Sequence, residues 1–341
     1  MKKFNARTYL YIASCGVVAI LVLLAFYMLA PVSSSEETQY IYIDDKDTQE
    51  SVMMKLNDLG QTAGLAGVKM LMRHTDYANH IHTGRYAIHP NDGALMVYRK
   101  LRNGQQTSMR LTIPEARTMD KLAGYLGRHL MVDSATIADA LRDSAVCSKL
   151  GYDTCTIAAM FVPNTYDVYW NTSLENFLKR MQKEHDNFWR GERQAKANKM
   201  EMTPEEVCTL ASIIDEETAN NSEKPMIAGM YLNRLKKGMP LQADPTIKFA
   251  LRQFELKRIY HKLLNTDSPY NTYRNEGLPP GPIKIASIKG IDAVLNHVEH
   301  DYVYMCAKED FSGTHNFAST YQEHQRNAAR YTKALNERGI K

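Results

Sequence analysis

The sequence has little of several residue patterns that mark particular classes of protein. It contains 5 cysteines in 341 residues, and neither a Cys-x-x-Cys nor a His-Glu-x-x-His pattern occurs, so we expect no metal site. The formal net charge of +4 is small for this length, which argues against the concentrated basic face of a nucleic-acid-binding protein. The chain is therefore expected to need neither a cofactor nor a nucleic-acid partner.

Cysteines are too sparse to form a disulfide framework. Cys147 and Cys155 are near neighbours in the sequence, and in an oxidising compartment they could pair. Their spacing does not establish the geometry that a disulfide requires, so both the paired and the free state are left open.

One long hydrophobic run is present, near the N-terminus. Residues 9–32 carry no charge and exceed the roughly 20 residues that cross a bilayer as a helix. The run is longer than the apolar core of a signal peptide and shows no obvious cleavage site, so we expect a retained transmembrane helix. Lys2, Lys3 and Arg7 precede it while acids follow, so residues 1–8 are predicted to be a cytoplasmic tail and the rest of the chain to be exported.

After the hydrophobic run, the pattern predicts small β and α units. Residues 33–37 (SSSEE) are expected to be a polar linker, and the segments QYIYI and GRYAI are predicted strands. Helices are predicted to begin after three capping residues, Thr48, Thr118 and Asp133. Modules of this β-α-α-β kind serve as packing scaffolds or bind cell-wall glycan, and periodicity alone does not separate the two.

The segment TPEEVCTLASIIDEET predicts a helix whose register can be read from the sequence. Thr203 is the expected N-cap, Pro204 suits the first turn, and Glu206 completes a capping box. At about 100° per residue, one face of this helix is an apolar stripe that also contains Glu217. The apolar members of the stripe are Val207, Leu210 and Ile214, flanked by Ile213.

Glu217 is the candidate for chemistry among three consecutive acids. A carboxyl group on a buried stripe has a raised pKa and can act as a general acid. Asp215 and Glu216 point away from the stripe and are predicted to be solvated. Alternatively, Glu217 pairs with Arg234 or a nearby lysine, or lies at a frayed helix end, and helix geometry leaves these alternatives open.

Beyond this helix the sequence predicts a second helix and then polar loops. The second helix is expected to be capped near Asn221 or Ser222 and closed by Gly238, with sharp turns at Pro240 and Pro245. The loops SPYNTYRNEGLPPGPI and GTHNFASTYQEH follow. They are dense in amides, hydroxyls and aromatic rings, which suit hydrogen bonding to, and stacking on, a sugar.

Several ordered motifs resemble the endolytic murein transglycosylases, the YceG-like or MltG proteins of bacterial inner membranes. The matching segments are ASIIDEET (211–218), YLNRL (231–235), LQADPT (241–246), YNTY (270–273), GLPPGPI (277–283) and HNF (315–317). The resemblance is strong from about Pro163 onward. It implies an α+β fold with a LysM-like module within residues 38–145 and a lysozyme-like transglycosylase domain in residues 146–341.

The resemblance also implies a function and a set of site residues. The chain would be a carbon–oxygen lyase that cleaves the bond between N-acetylmuramic acid and N-acetylglucosamine, with Glu217 as acid and then base and with no second carboxylate required. Two positions depart from the family pattern, Asp215 and Asn164, and the residue types there argue against an essential role for either. The implied substrate-binding residues are Gln242, Asp244, Thr246, Asn271, Tyr273 and His315, each of which could instead brace a loop.

Partners and location follow from the same resemblance. Peptidoglycan glycan strands and the inner membrane are the expected partners, with peptidoglycan synthases (penicillin-binding proteins) as a family-level expectation, and the catalytic domain would be periplasmic. Two other functional classes would use the same residues differently. A non-catalytic glycan-binding scaffold would leave Glu217 without a role, and a metal-assisted hydrolase using Asp215, Glu216 and His315 is disfavoured because the two acids face different sides of the helix.

Overall fold

The computed structural model describes residues 6–60, 62–256 and 258–339. Its contacts divide the chain into two compact units. The described residues of Met1–Leu111, together with His129–Val132 and Asp167–Thr172, form the first unit, and Thr112–Arg128, Asp133–Tyr166 and Ser173 onward form the second. Lys2 and Lys3, which support the predicted membrane orientation, lie outside the described residues.

The first unit contains a long helix followed by a β-α-α-β arrangement. The elements are α1 (Ala6–Leu29), β1 (Gln39–Ile43), α2 (Gln49–Asn57), α3 (Ala63–His74), β2 (Gly84–Ile88) and α4 (Ala94–Arg102). β1 and β2 pair antiparallel, with Ile41 opposite Tyr86. Both predicted strands and the N-cap at Thr48 are confirmed, and the Thr48 side chain accepts a hydrogen bond from the backbone N–H of Ser51.

The core of the first unit follows from the alternation of side chains along β1. Ile41 and Ile43 are buried while Tyr40 and Tyr42 are exposed, as expected for a strand with one covered face. Apolar residues of α2, α3 and α4 complete the core. This arrangement is compatible with the LysM-like module that the family resemblance implies, which stays a prediction.

Helix α1 is apolar enough to cross a membrane over Arg7–Leu29, but it ends before the predicted boundary. Residues after Leu29 leave the helix, and Val32 is fully buried in the core of the first unit. Ser33, assigned to a polar linker from the sequence, is also buried. The apolar character of Val32 therefore reflects packing in the folded unit.

Two glycines of α3 allow α1 to approach closely. A Cβ atom at Gly64 would lie 2.2 Å from the carbonyl oxygen of Ala30, and one at Gly67 would lie 2.2 Å from that of Tyr27. Any larger residue at either position would force the backbones apart. The end of α1 is thus packed against the first unit rather than separated from it.

The remaining elements are mostly helical. β3 (Met109–Thr112) pairs with β4 (Thr165–Val168), and β5 (Tyr304–Ala307) pairs antiparallel with β6 (His315–Ala318). The helices are α5 (Met119–Gly127), α6 (Ser134–Arg142), α7 (Ser144–Lys149), α8 (Leu174–Trp189), α9 (Glu192–Lys199), α10 (Pro204–Glu217), α11 (Lys224–Lys236), α12 (Asp244–Leu251), α13 (Ile288–Leu295) and α14 (Tyr321–Glu337). The predicted caps at Thr118 and Asp133 are confirmed, although α5 and α6 belong to the second unit.

Helix α10 is at the centre of the second unit. Its capping box forms as predicted, with the Thr203 hydroxyl and the Glu206 carboxylate each accepting a backbone N–H. Every residue from Val207 to Ile214 is buried, because α11, α12 and α13 all pack against α10. The predicted apolar stripe is therefore part of a helix that is enclosed on all sides from Val207 to Ile214.

Two local predictions around α11 and α12 are wrong. Pro245 does not make a turn but lies in the first turn of α12, where its fixed φ and missing N–H are tolerated. The cap of α11 is Glu223 rather than Asn221 or Ser222, because Ser222 is used in a local turn with Asn220.

The cysteine alternative is resolved in favour of free thiols. Cys147 is buried and Cys155 is partly exposed, and both are unpaired. The buried Cys147 Sγ contacts the carbonyl oxygen of Leu141 at 3.6 Å.

Candidate active site

Glu217, the last residue of α10, lies in a polar cleft of about 240 Å³ in the second unit. The cleft is formed by the ends of α10 and α11, the segment before α12, and strand β5. The polar side chains that line it with Glu217 are Tyr231, Arg234, Gln242, Asp244, Tyr273 and His315. Four of the six predicted substrate-binding residues are thus brought together around the predicted catalytic one.

The surroundings of Glu217 favour its protonated form. Burial is the main cause that raises its pKa, to about 7, and the negative charge of Asp244 acts in the same direction. A hydrogen bond from the Tyr231 hydroxyl to Oε1, at 2.8 Å, and the positive charges of His315 and Lys248 act against this rise. A carboxyl group with such a pKa can hold a proton at neutral pH and release it during a reaction.

The predicted alternative, an ion pair between Glu217 and Arg234, is wrong. The Arg234 guanidinium is buried and donates to the backbone carbonyls of Val303 (2.6 Å), Pro240 (3.0 Å) and Leu241 (2.9 Å). Its charge is therefore used to hold strand and loop segments that form the cleft wall.

Gln242 and Asp244 reach the cleft because the segment before α12 alternates in burial. Both are exposed, while Leu241 before them and Ala243 between them are buried. Gln242 adopts a left-handed backbone conformation, with φ of +52°, which is costly for a residue other than glycine. The Asp244 carboxylate accepts a hydrogen bond of 2.6 Å from the Tyr273 hydroxyl.

His315 is held at the cleft by Glu223. The carboxylate of Glu223 accepts the His315 backbone N–H at 2.6 Å and lies 2.9 Å from Nδ1 of the same residue. Both side chains are largely buried. Because Nδ1 faces the carboxylate, Nε2 is the ring nitrogen left for other contacts.

Thr246 and Asn271 are not among the residues that line the cleft. Both are fully buried. The Thr246 hydroxyl donates to the carbonyl of Ala243 at 2.7 Å, and the Asn271 amide donates to the carbonyls of Leu264 and Thr266. These contacts position the start of α12, which carries Asp244, and the loop that carries Tyr273. The predicted role of Thr246 and Asn271 in binding substrate stays a prediction.

The prediction that Asp215 is a solvated acid is wrong. Its side chain is only 2% exposed and forms an ion pair with Lys224 at 2.6 Å. It also accepts hydrogen bonds from the backbone N–H and hydroxyl of Ser287, the N-cap of α13. Asp215 thus joins α10 to the beginnings of α11 and α13.

Glu216 is likewise paired rather than free in solvent. Its side chain is 17% exposed and binds Arg117 at 2.8 Å, with Lys284 at 3.5 Å. The prediction failed for both acids because their cationic partners come from other helices and loops, which a single helix pattern does not include.

The sequence predicts no role for Tyr231 or Glu223, and it names Arg234 only as the alternative ion-pair partner of Glu217. Tyr231 and Arg234 belong to the YLNRL motif and lie three residues apart, a spacing that puts both on one face of α11. That shared face could have indicated from the sequence that both side chains reach one site. No such pattern was present for Glu223, because its contact with His315 joins residues 92 positions apart.

The cleft has the parts for proton transfer on a polar substrate. It combines a protonatable carboxyl group, a second carboxylate at Asp244, and an imidazole. Within the part of the chain that the structure describes, no group of three or more His, Cys, Asp or Glu side chains is arranged to hold a metal ion.

Comparisons with known proteins agree with these features. Residues 41–330 match the YceG-like family. An endolytic murein transglycosylase of Bacillus subtilis is 37% identical over 168 residues, covering 49% of this chain and 46% of that protein, and one of Streptococcus pneumoniae is 27% identical over 248 residues, covering 66% and 45%. The chain therefore spans about half the length of these relatives.

A solved structure is also similar. The crystal structure of a yceG-like protein from Listeria monocytogenes has a TM-score of 0.56 and 25% sequence identity, covering 86% of this chain and 99% of that one. This similarity supports the mixed helix and sheet architecture.

Proposed function

Because the chain belongs to the YceG-like family, we propose that it is an endolytic peptidoglycan lytic transglycosylase with Glu217 as its acid and base. The observation that carries the proposal is a cleft carboxyl group whose pKa is raised to about 7. The curated relatives named as endolytic murein transglycosylases support the substrate class. The bond cleaved would join N-acetylmuramic acid to N-acetylglucosamine within a glycan strand.

In the first step Glu217 donates its proton to the glycosidic oxygen. That oxygen is a poor leaving group until it is protonated, and bond cleavage then develops positive charge on the sugar ring. The Tyr231 hydroxyl donates to Oε1, so Oε2 is the oxygen free to carry the proton towards substrate. The carboxylate of Asp244 in the same cleft would stabilise the developing positive charge.

In the second step the ionised Glu217 removes a proton from the 6-hydroxyl of the muramyl residue. That oxygen attacks the anomeric carbon of its own ring and forms a 1,6-anhydro end. An intramolecular nucleophile has a high effective concentration, so no water molecule or second nucleophilic carboxylate is required. Glu217 is protonated again at the end of the cycle.

The location of the reaction is part of the proposal. Helix α1 would anchor the chain in the inner membrane, with the N-terminus cytoplasmic and the catalytic unit in the periplasm, close to newly made glycan strands. The β-α-α-β arrangement of the first unit would serve as a LysM-like module. Peptidoglycan synthases are then the proposed protein partners.

The test compares the full-length chain with its Glu217→Gln variant on uncrosslinked glycan strands, with products identified by mass spectrometry. Wild type is expected to give anhydro-terminated fragments, and the variant to be about 10²- to 10⁴-fold slower, the range for loss of a general acid. Glu205→Gln is the matched control, since it makes the same change about 18 Å away along α10.

Each other outcome has a definite meaning. Reducing ends in the products would indicate a hydrolase, with Asp244 as a candidate base. Intact strands from wild type and variant, with binding retained, would favour the non-catalytic glycan-binding scaffold.

A further inference from the structure

A second cavity, of about 430 Å³, lies in the same unit as the cleft. Its walls come from the beginning of α5, the end of α6, the segment 154–158, the end of α12 and the segment 282–284. It combines basic side chains with an aromatic pair, Phe249 and Tyr270, whose ring centroids are 4.7 Å apart. We call it the stem cavity.

Helix α12 connects the cleft to the stem cavity. Asp244, at its first position, lines the cleft, whereas Phe249 and Arg252 line the stem cavity. At 1.5 Å per residue, Phe249 lies about 8 Å further along the helix axis than Asp244, and Arg252 directly follows the last helical residue, Leu251. Glu216, next to Glu217, also binds Arg117 in the wall of the stem cavity.

Most cations of the stem cavity are already neutralised. Arg117 pairs with Glu216, Lys284 with Glu115 and Glu216, and Arg142 with Asp120. These pairs leave little positive charge for a ligand.

Arg252 differs from these cations. Among the residues that the structure describes it forms no ion pair, and its guanidinium lies 4.7 Å from the centroid of the Phe249 ring. Its backbone is left-handed, with φ of +55°, a conformation that glycine adopts at no cost and that costs other residues roughly 1 kcal/mol. An exposed arginine kept in a position that favours glycine indicates a use for its side chain.

We propose that the stem cavity binds the peptide stem carried by the muramyl residue, with Arg252 binding a stem carboxylate. Phe249 and Tyr270 would contact the aliphatic part of the stem. An extended peptide spans up to about 3.5 Å per residue, so three or four residues cover the distance from the cleft to Arg252. The inference rests on the proposed function and names its substrate as stem-bearing rather than bare glycan.

The test uses the full-length chain and two substrates, uncrosslinked strands that carry peptide stems and the same strands stripped of stems by an amidase. The variant Arg252→Gly removes the guanidinium and suits the observed φ, so its melting temperature should equal or exceed that of wild type. We expect kcat/KM to fall about 10-fold on stem-bearing strands, as for loss of one charge-assisted contact, and to stay unchanged on stripped strands. Arg252→Lys, which keeps the charge, should recover most of the loss.

Other results would overturn the inference. They are an equal fall in kcat/KM of Arg252→Gly on both substrates, no fall on either substrate, or a higher kcat/KM of wild type on stripped strands than on stem-bearing strands. Absence of cleavage of both substrates by wild type would instead remove the proposed function itself, so the two failures are distinguishable.

Discussion

The surroundings of Asp215 and of Glu217 differ sharply, although only one residue separates them on α10. Asp215 has a lysine at 2.6 Å and two donors from Ser287. Glu217 has a tyrosine hydroxyl at 2.8 Å and a second carboxylate, Asp244, lining the same cleft. The side chain of Asp215 is 2% exposed, and burial is the main cause of the raised pKa of Glu217.

The comparison shows that the partner, rather than burial alone, decides what a buried acid can do. A cation and two donors stabilise a carboxylate and fix it in one role. Burial and a nearby negative charge raise the pKa of Glu217, and one neutral donor offsets only part of this rise, so the pKa is about 7. The region around Asp215 is therefore suited to holding helices together and the cleft to proton transfer.

The largest stability effect should come from the Asp215 region. Asp215→Ala would leave Lys224 buried without an anion, so we expect a loss of about 3–5 kcal/mol in the free energy of unfolding. Glu216→Ala removes a more exposed acid and should cost about 1 kcal/mol or less. Thermal or denaturant unfolding of the full-length proteins measures both changes, and equal effects would remove the distinction between the two acids.

A pH-dependent gain in stability is expected from Glu217→Gln. The pKa of Glu217 is about 7 in the folded chain against a usual 4.5, so the native state binds the proton more tightly than the unfolded state. Wild type then loses stability as the pH rises from about 4.5 through 7, by up to about 3 kcal/mol.

The variant lacks this loss. Its advantage over wild type should be absent near pH 4 and complete at pH 8, as measured by unfolding across that range. Parallel stability curves for the two proteins would show that the Glu217 carboxyl is not perturbed.

The smallest effect is expected from Tyr231→Phe, which alters only one contact of the acid. The Tyr231 hydrogen bond lowers the pKa of Glu217, so its removal should move the alkaline limb of the kcat/KM profile to higher pH. The maximum should fall about 5- to 10-fold, in line with the loss of one hydrogen bond of about 1 kcal/mol. A merely structural role for Tyr231 would lower the maximum and leave the limb in place.

Sequence reasoning succeeded where local rules decide the structure. The capping box of Thr203 and Glu206 set the register of α10, and that register put Glu217 on the apolar face. The strands of the first unit follow similarly from alternation, and the N-caps at Thr48, Thr118 and Asp133 follow from side chains that bond the nearby backbone. Each of these features depends on residues within a few positions of one another.

It failed where contacts between distant segments decide. The lysine that pairs with Asp215 is on α11 and the serine is at the start of α13, 72 residues away. Pro245 is compatible with a turn and with the first turn of a helix, and packing against α10 selects the helix.

The close packing of α1 on α3 affects how far the first unit would lie from a membrane that α1 crosses. A domain on a slack tether samples many distances from its anchor. Here Gly64 and Gly67 bring the two backbones together and Val32 is part of the core, so no loose chain separates the helix from the first unit. If α1 crosses the membrane, it is a rigid anchor, and any ligand of the first unit is held at a fixed distance from the lipid headgroups.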